Sequence, residues 1–181
     1  MSVPRIPEPA RLIISVLASE GMPLEGARTA LIDRFGSLEE AVGPLPFDYT
    51  SYYDAELGTG IKRWLWVFAD LVEGSDLREI KLFVNELEQA HSTAGRRTFN
   101  LDPGLITLGN FVLATGKNNA HRIYLGKGVF ADLTLIFRSG TYHPLPWTYP
   151  DYADLQLIDI LNTLREKYKC KLTNKCVPEG A

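Results

Sequence analysis

The residues able to do chemistry gather in four short stretches. Asp54 and Glu56 are two apart and share a face if their stretch is extended. Lys81 and Asn85 are one helical turn apart and share a face if theirs is a helix. Arg96, Asn100 and Asp102 lead into Pro103-Gly104, and Lys117, His121 and Arg122 follow it. Basic groups beside carboxylates and amides suit a phosphorylated or carboxylated small molecule, because Lys and Arg bring charge and directed donors to its oxygens. Glu56, Lys81, Asn100, Asp102, His121 and Arg122 are therefore the candidate ligand-binding set. In it, Lys81 and Arg122 hold the anion. Whether a reaction follows stays open; if one does, Asp102 or Glu56 is the base and His121 the proton shuttle. Each residue also has an ordinary use. Lys81 can pair with Glu88, Arg122 with Asp132 across a hairpin, and Asn100 and Asp102 can close Asx turns.

Other chemistries lack their motifs. The nearest approach to a phosphate-binding loop, Ala114-Thr115-Gly116-Lys117-Asn118, has no upstream glycine and no hydroxyl for magnesium. Asn174-Lys175-Cys176-Val177 has no Asp to read a guanine, and Gly126-Lys127-Gly128 does not precede a helix. The three histidines, His91, His121 and His143, share no short ligand spacing, so no metal site is assigned, and the residues leave any cofactor unknown. Tyr49, Tyr52 and Tyr53 cluster, as do Trp147, Tyr149 and Tyr152. Base stacking needs such rings exposed, whereas aromatics mostly bury, so core and rim packing is the expected use.

Composition narrows the setting. With 181 residues, 45% hydrophobic and 23% charged, the chain suits one globular domain over residues 1–181 that needs no disulfide or metal to fold. A net charge of −3 argues against a nucleic-acid backbone as partner. The apolar run Leu12 to Ala18 is too short to span a bilayer and reads as a buried strand, so a cytoplasmic protein without membrane attachment is expected. Cys170 and Cys176 fit reduced thiols there, with a terminal bridge as the alternative.

These residues need elements to position them. Arg11 to Ser19 reads as a central strand, and Leu24, Ala27, Leu31 and Phe35 as one face of a helix that Gly36 ends. Ser37 with Glu40 matches a capping box for a short second helix ended by Gly43-Pro44. Phe47 to Leu57 alternates as a strand, and Ile61 to Val72 as its antiparallel return. Asp76 and Glu79 open a helix with Leu77, Ile80, Val84 and Leu87 inward. Arg96 to Leu101 is a short strand, Asp102-Pro103-Gly104 a turn, and Leu105 to Thr115 a short helix. A hairpin follows over His121 to Phe137, turning at Gly126-Lys127-Gly128. Arg122 lies opposite Asp132 on its outer face with Tyr124, Phe130 and Thr134, and Ile123, Leu125, Val129, Ala131, Leu133 and Leu135 lie on its buried face. Asp151 caps a last helix with Leu157, Leu161, Leu164 and Tyr168 inward, and the tail after Lys171 is loose.

The order is the split β-α-β-β-α-β arrangement. The expected class is thus α+β, a ferredoxin-like core extended by a β-hairpin and a C-terminal helix. Such a sheet exposes edges and a face, so a non-enzymatic interaction module or homodimer stands as the alternative to ligand binding.

The strings FDYTSYYDAELG, NLDPG, VLATGKNNAHRIYLGKGVFADLTL and TYPDY, in this order, resemble the bacterial domain-of-unknown-function family 4416. The likeness extends from PEPARLIISVLAS to the final helix. It implies a stand-alone domain of similar length and carries no mechanism. Some members bear a GTP-binding label, which the missing phosphate-loop and guanine-reading motifs do not support.

Overall fold

The computed structural model of the chain describes residues 1–173; the expected loose tail lies mostly outside them, and Cys176 entirely. In chain order the elements are β1 (Ala10–Ser19), α1 (Glu25–Phe35), β2 (Leu38–Pro46), α2 (Asp54–Leu57), β3 (Ile61–Val72), α3 (Leu77–Ala90), β4 (Phe99–Ile106), β5 (Asn110–Thr115), β6 (Arg122–Gly126), β7 (Val129–Arg138), β8 (Thr141–Pro144) and α4 (Leu155–Thr173). Eight strands form one antiparallel sheet in the order β2-β3-β1-β4-β5-β7-β6, with β8 also on β7.

β1 is buried on both faces, which is why its sequence is a continuous apolar run. Leu12, Ile14, Val16 and Ala18 meet Ala27 and Leu31 of α1 and Leu77, Ile80 and Val84 of α3. Ile13 turns to the opposite face, where α4 packs Leu157, Leu161, Leu164 and Tyr168. Each fully buried aliphatic side chain contributes about 1.5–3 kcal/mol, so these two layers hold the sheet between helices. A smaller cluster of Leu17, Phe47, Leu57 and Ile61 anchors the segment between β2 and β3 onto the sheet.

Five sequence expectations fail locally. Residues 38–46 are an edge strand paired with β3, not a helix. Glu40 bonds Lys167 of α4 at 2.6 Å instead of capping, and Val42 and Leu45 pack into the α4 layer. With that edge taken, residues 47–57 have no strand partner and form a loop and the single turn α2. Asp102-Pro103-Gly104 is not a turn but lies inside β4. Leu105 to Thr115 is not a helix but the end of β4, a tight turn and β5; Thr107 Oγ1 accepts the N–H groups of Gly109 and Asn110 at 3.2 and 3.1 Å to make that turn. Finally, Asp154 rather than Asp151 caps α4, accepting from the N–H groups of Gln156 and Leu157 at 2.9 and 3.3 Å.

The hairpin has the expected pairing of Arg122 with Asp132, and Leu125, Val129 and Ala131 pack on the core as expected, but the opposite face is not left to water. Asp132 and Thr134 are buried while Ile123 is 68% exposed. The face expected to meet water is covered by the segment around Trp147 and Tyr149, whose indole and hydroxyl bond Leu133 and Arg122.

Candidate functional site

β4 pairs with β1 along its whole length from Phe99 to Ile106, but with β5 only over Gly104, Leu105 and Ile106. Towards Asn100 the two strands part, and the gap opens into a cavity of about 680 Å³. Its walls come from both strands, from α3, from the 47–53 loop and from the 149–152 segment.

The parting leaves backbone groups of β4 without a strand, and α3 answers them. The Leu101 N–H donates to the Glu88 carboxylate, and the Lys81 ammonium donates to the Leu101 carbonyl at 2.9 Å. Buried backbone groups must be paired, so two charged residues occupy the inward face of an amphipathic helix. Pro103 fits the same logic. Two residues beyond Leu101, its nitrogen points to the same unpaired side, where a missing N–H costs no ladder bond. Gly104 is required by packing, since a Cβ there would sit 2.6 Å from the Phe111 ring.

An ion network spreads from this edge. Lys81 also donates to Asp102 at 3.1 Å, and the Asn100 amide donates to the other Asp102 oxygen at 2.8 Å. Arg97 clamps Glu56 with two bonds of 2.7 and 2.6 Å and reaches Asn100 at 2.7 Å and Glu88 at 3.2 Å. On the floor Arg63 pairs with Asp151 and lies between two rings, 5.0 Å from the centre of Phe47 and 4.6 Å from that of Tyr152. At the mouth Arg122 donates to Asp132 at 2.7 Å, to the Lys117 carbonyl at 2.8 Å and to the Tyr149 hydroxyl at 3.1 Å. The Lys117 ammonium donates to the Tyr52 hydroxyl at 3.1 Å.

The charges are almost balanced. Arg63, Lys81, Arg97 and Arg122 each have a carboxylate partner. Lys117 is the one lining cation without such a partner among the described residues. The pairing sets the acidities. The Arg97 guanidinium holds Glu56 below the usual carboxylate range. Burial pushes Asp102 up, but Lys81 and Asn100 outweigh it and leave it below that range. Burial of Glu88 prevails over Lys81 and Arg97 and holds it above. Burial, with Asp102 and Tyr152 nearby, keeps the Tyr53 phenol protonated far past its ordinary value.

Of the six candidates, Lys81, Asn100, Asp102 and Arg122 line the cavity. Glu56 stands behind Arg97, which lines it. His121 is not on the wall: it stacks on Trp147 with ring centres 4.9 Å apart and lies 3.4 Å from Asp132. Several suggested roles change with this geometry. Lys81 is occupied by β4, and Glu56 and Asp102 are weakened as bases by their partners. The exposed Arg96 only closes a bridge with Thr93, and its neighbour Arg97 does the bonding. Sequence reasoning passed over Arg63 and Arg97, read Tyr152 as packing and Asp151 as a helix cap, and treated Glu88 only as a partner for Lys81. One signal was available: Lys81 and Glu88 recur with Leu77 and Val84 at helical spacing, putting charges on a buried face.

Among the described residues no group of three His, Cys, Asp or Glu is placed to hold a metal, and no helix is long and apolar enough to cross a membrane. No curated protein and no solved structure matches the chain. Residues 8–168 match the family model described as Domain of unknown function (DUF4416).

Proposed function

This chain belongs to the DUF4416 family, whose description names no activity, and we propose from the geometry that it binds a small anionic ligand in the cavity beside β4. The observation that carries the reading is Lys117, a cation at the mouth of a cavity in which every other lining cation already has a carboxylate. A phosphate or carboxylate group completes that pairing, and Arg122, fixed by three partners, has donors left to share it. Tyr49, Tyr52 and Tyr149 border the same mouth and offer ring surface to the rest of the ligand. The volume lies in the range of metabolite pockets. Binding is favoured over acid–base chemistry because Glu56 and Asp102 are held ionised by their partners and His121 lies off the wall.

Thermal-shift titrations of the full chain with inorganic phosphate and with short phosphorylated and carboxylated compounds test this. At least one anion should raise the melting temperature, and K117A should abolish the rise. No shift with any anion overturns the reading.

We also read β1–β4 with α1 and α3 as a ferredoxin-like unit. Support comes from the order β2-β3-β1-β4, the antiparallel pairings and the packing of both helices on one face. On this reading β5–β8 and α4 extend the unit, and the cavity lies at the seam.

A further inference from the structure

We infer that the ligand has two unlike ends, an anionic group at the mouth and a neutral oxygen acceptor at the floor beside Arg63 and Tyr152. This rests on the anion-binding reading above and goes further by naming the ligand class: a phosphorylated or carboxylated compound with a carbonyl or hydroxyl at its far end.

The two ends of the cavity differ in exposure and in charge. Lys117 and Tyr52 at the mouth are exposed, and Lys117 has no carboxylate partner among the described residues. Arg63 and Tyr152, both lining the cavity, are 4% exposed. Arg63 is already neutralised by Asp151, so the floor does not call for a second anion. It does have hydrogen-bonding groups to spare. Neither Arg63 Nε nor the Tyr152 hydroxyl has a hydrogen-bond partner among the described residues. Ser15 of β1 lies close enough to that hydroxyl to influence it, but not in hydrogen-bonding geometry. A buried donor left without an acceptor is costly, and native proteins leave few of them. Two on neighbouring side chains of one cavity wall mark a place where an acceptor oxygen is wanted. Both are held still, because the guanidinium lies 4.6 Å from the Tyr152 ring centre and the Tyr152 ring packs 5.8 Å from Phe111. Leu17, Phe47 and Leu113 also line the cavity, apolar surface suited to the carbon skeleton that joins the ends. At about 680 Å³ the space exceeds what a lone inorganic anion fills.

Calorimetric titration of the full chain compares one-ended with two-ended probes: inorganic phosphate with ribose 5-phosphate, and acetate with 4-oxopentanoate. In one series or the other, the two-ended probe should bind about tenfold tighter, the worth of one good buried hydrogen bond. Y152F should remove most of that advantage and leave the one-ended anion unchanged, whereas K117A should weaken both. Y152F keeps the ring and deletes a hydroxyl without a hydrogen-bond partner among the described residues, so its melting temperature should match wild type. If it misfolds, R63K replaces it, keeping the charge beside Asp151 and removing the Nε donor. Lys117-dependent anion binding with no two-ended advantage overturns this inference alone, as does an advantage untouched by Y152F and R63K. Failure of every probe to bind wild type overturns the anion site and this inference together.

Discussion

The two halves of β4 solve the same problem by different means. From Gly104 to Ile106 a neighbouring strand, β5, takes up the outward backbone groups. At Leu101 the same task falls to the side chains of Glu88 and Lys81. The first half is closed and apolar, and packs Gly104 against Phe111. The second is open and charged, and borders the cavity. Where a strand continues, a sheet leaves no room for a ligand; where helix side chains replace it, a hollow lined by ionisable groups results.

The sharpest way to break this comparison is to remove the replacement. E88A leaves the Leu101 N–H and part of Arg97 without an acceptor in a buried setting, and should cost about 3–5 kcal/mol in urea denaturation. E88Q keeps an acceptor oxygen and should cost clearly less; equal costs would mean that Glu88 does not act through that bond. On the closed half, G104A forces a Cβ against Phe111 and should cost about 1–3 kcal/mol. Because no cavity ion pair is touched, anion binding at Lys117 should survive it. K117A should do the reverse, with stability within about 0.5 kcal/mol of wild type and anion affinity lost.

The smallest effect is in acid. Glu56 is held below its unfolded pKa by Arg97, so its stabilisation is present above about pH 4.5 and is lost as pH falls through its lowered value. Glu88 is raised and acts oppositely, favouring the fold at low pH and losing that share as pH climbs through its folded value. E56Q should therefore flatten the acid limb of a melting-temperature profile, by about 1 kcal/mol or less because Glu56 is partly solvated. An unchanged acid limb would show that the Arg97 clamp contributes nothing measurable.

Periodicity made much of the fold legible. β1 and β3 are strands as expected, α1, α3 and α4 bury the faces that their apolar spacing indicates, and the Gly126-Lys127-Gly128 hairpin has the expected Arg122–Asp132 pairing. The errors cluster where local turn and cap signals compete with a partner distant in sequence. Ser37-x-x-Glu40 looks like a helix start, but β3 offers an open edge. Asp102-Pro103-Gly104 looks like a turn, yet Pro103 sits on the side of β4 that β5 has left, and Gly104 accommodates a ring rather than a bend. The site was legible where polar residues sit at strand and helix positions, as with Lys81, Asn100, Asp102 and Arg122. It was not legible for Arg63, which lies in an aromatic-rich strand and finds Asp151 only through the fold.

By itself the sequence determined which stretches alternate, which wind and which residues must be buried, because those follow from side-chain spacing along one chain. Only the tertiary structure decided that β4 and β5 part, that α3 fills in for the missing strand and that, among the described residues, four of the five cations lining the cavity are neutralised. Charge pairing and backbone satisfaction depend on which distant segments become neighbours, and short-range spacing carries no record of that.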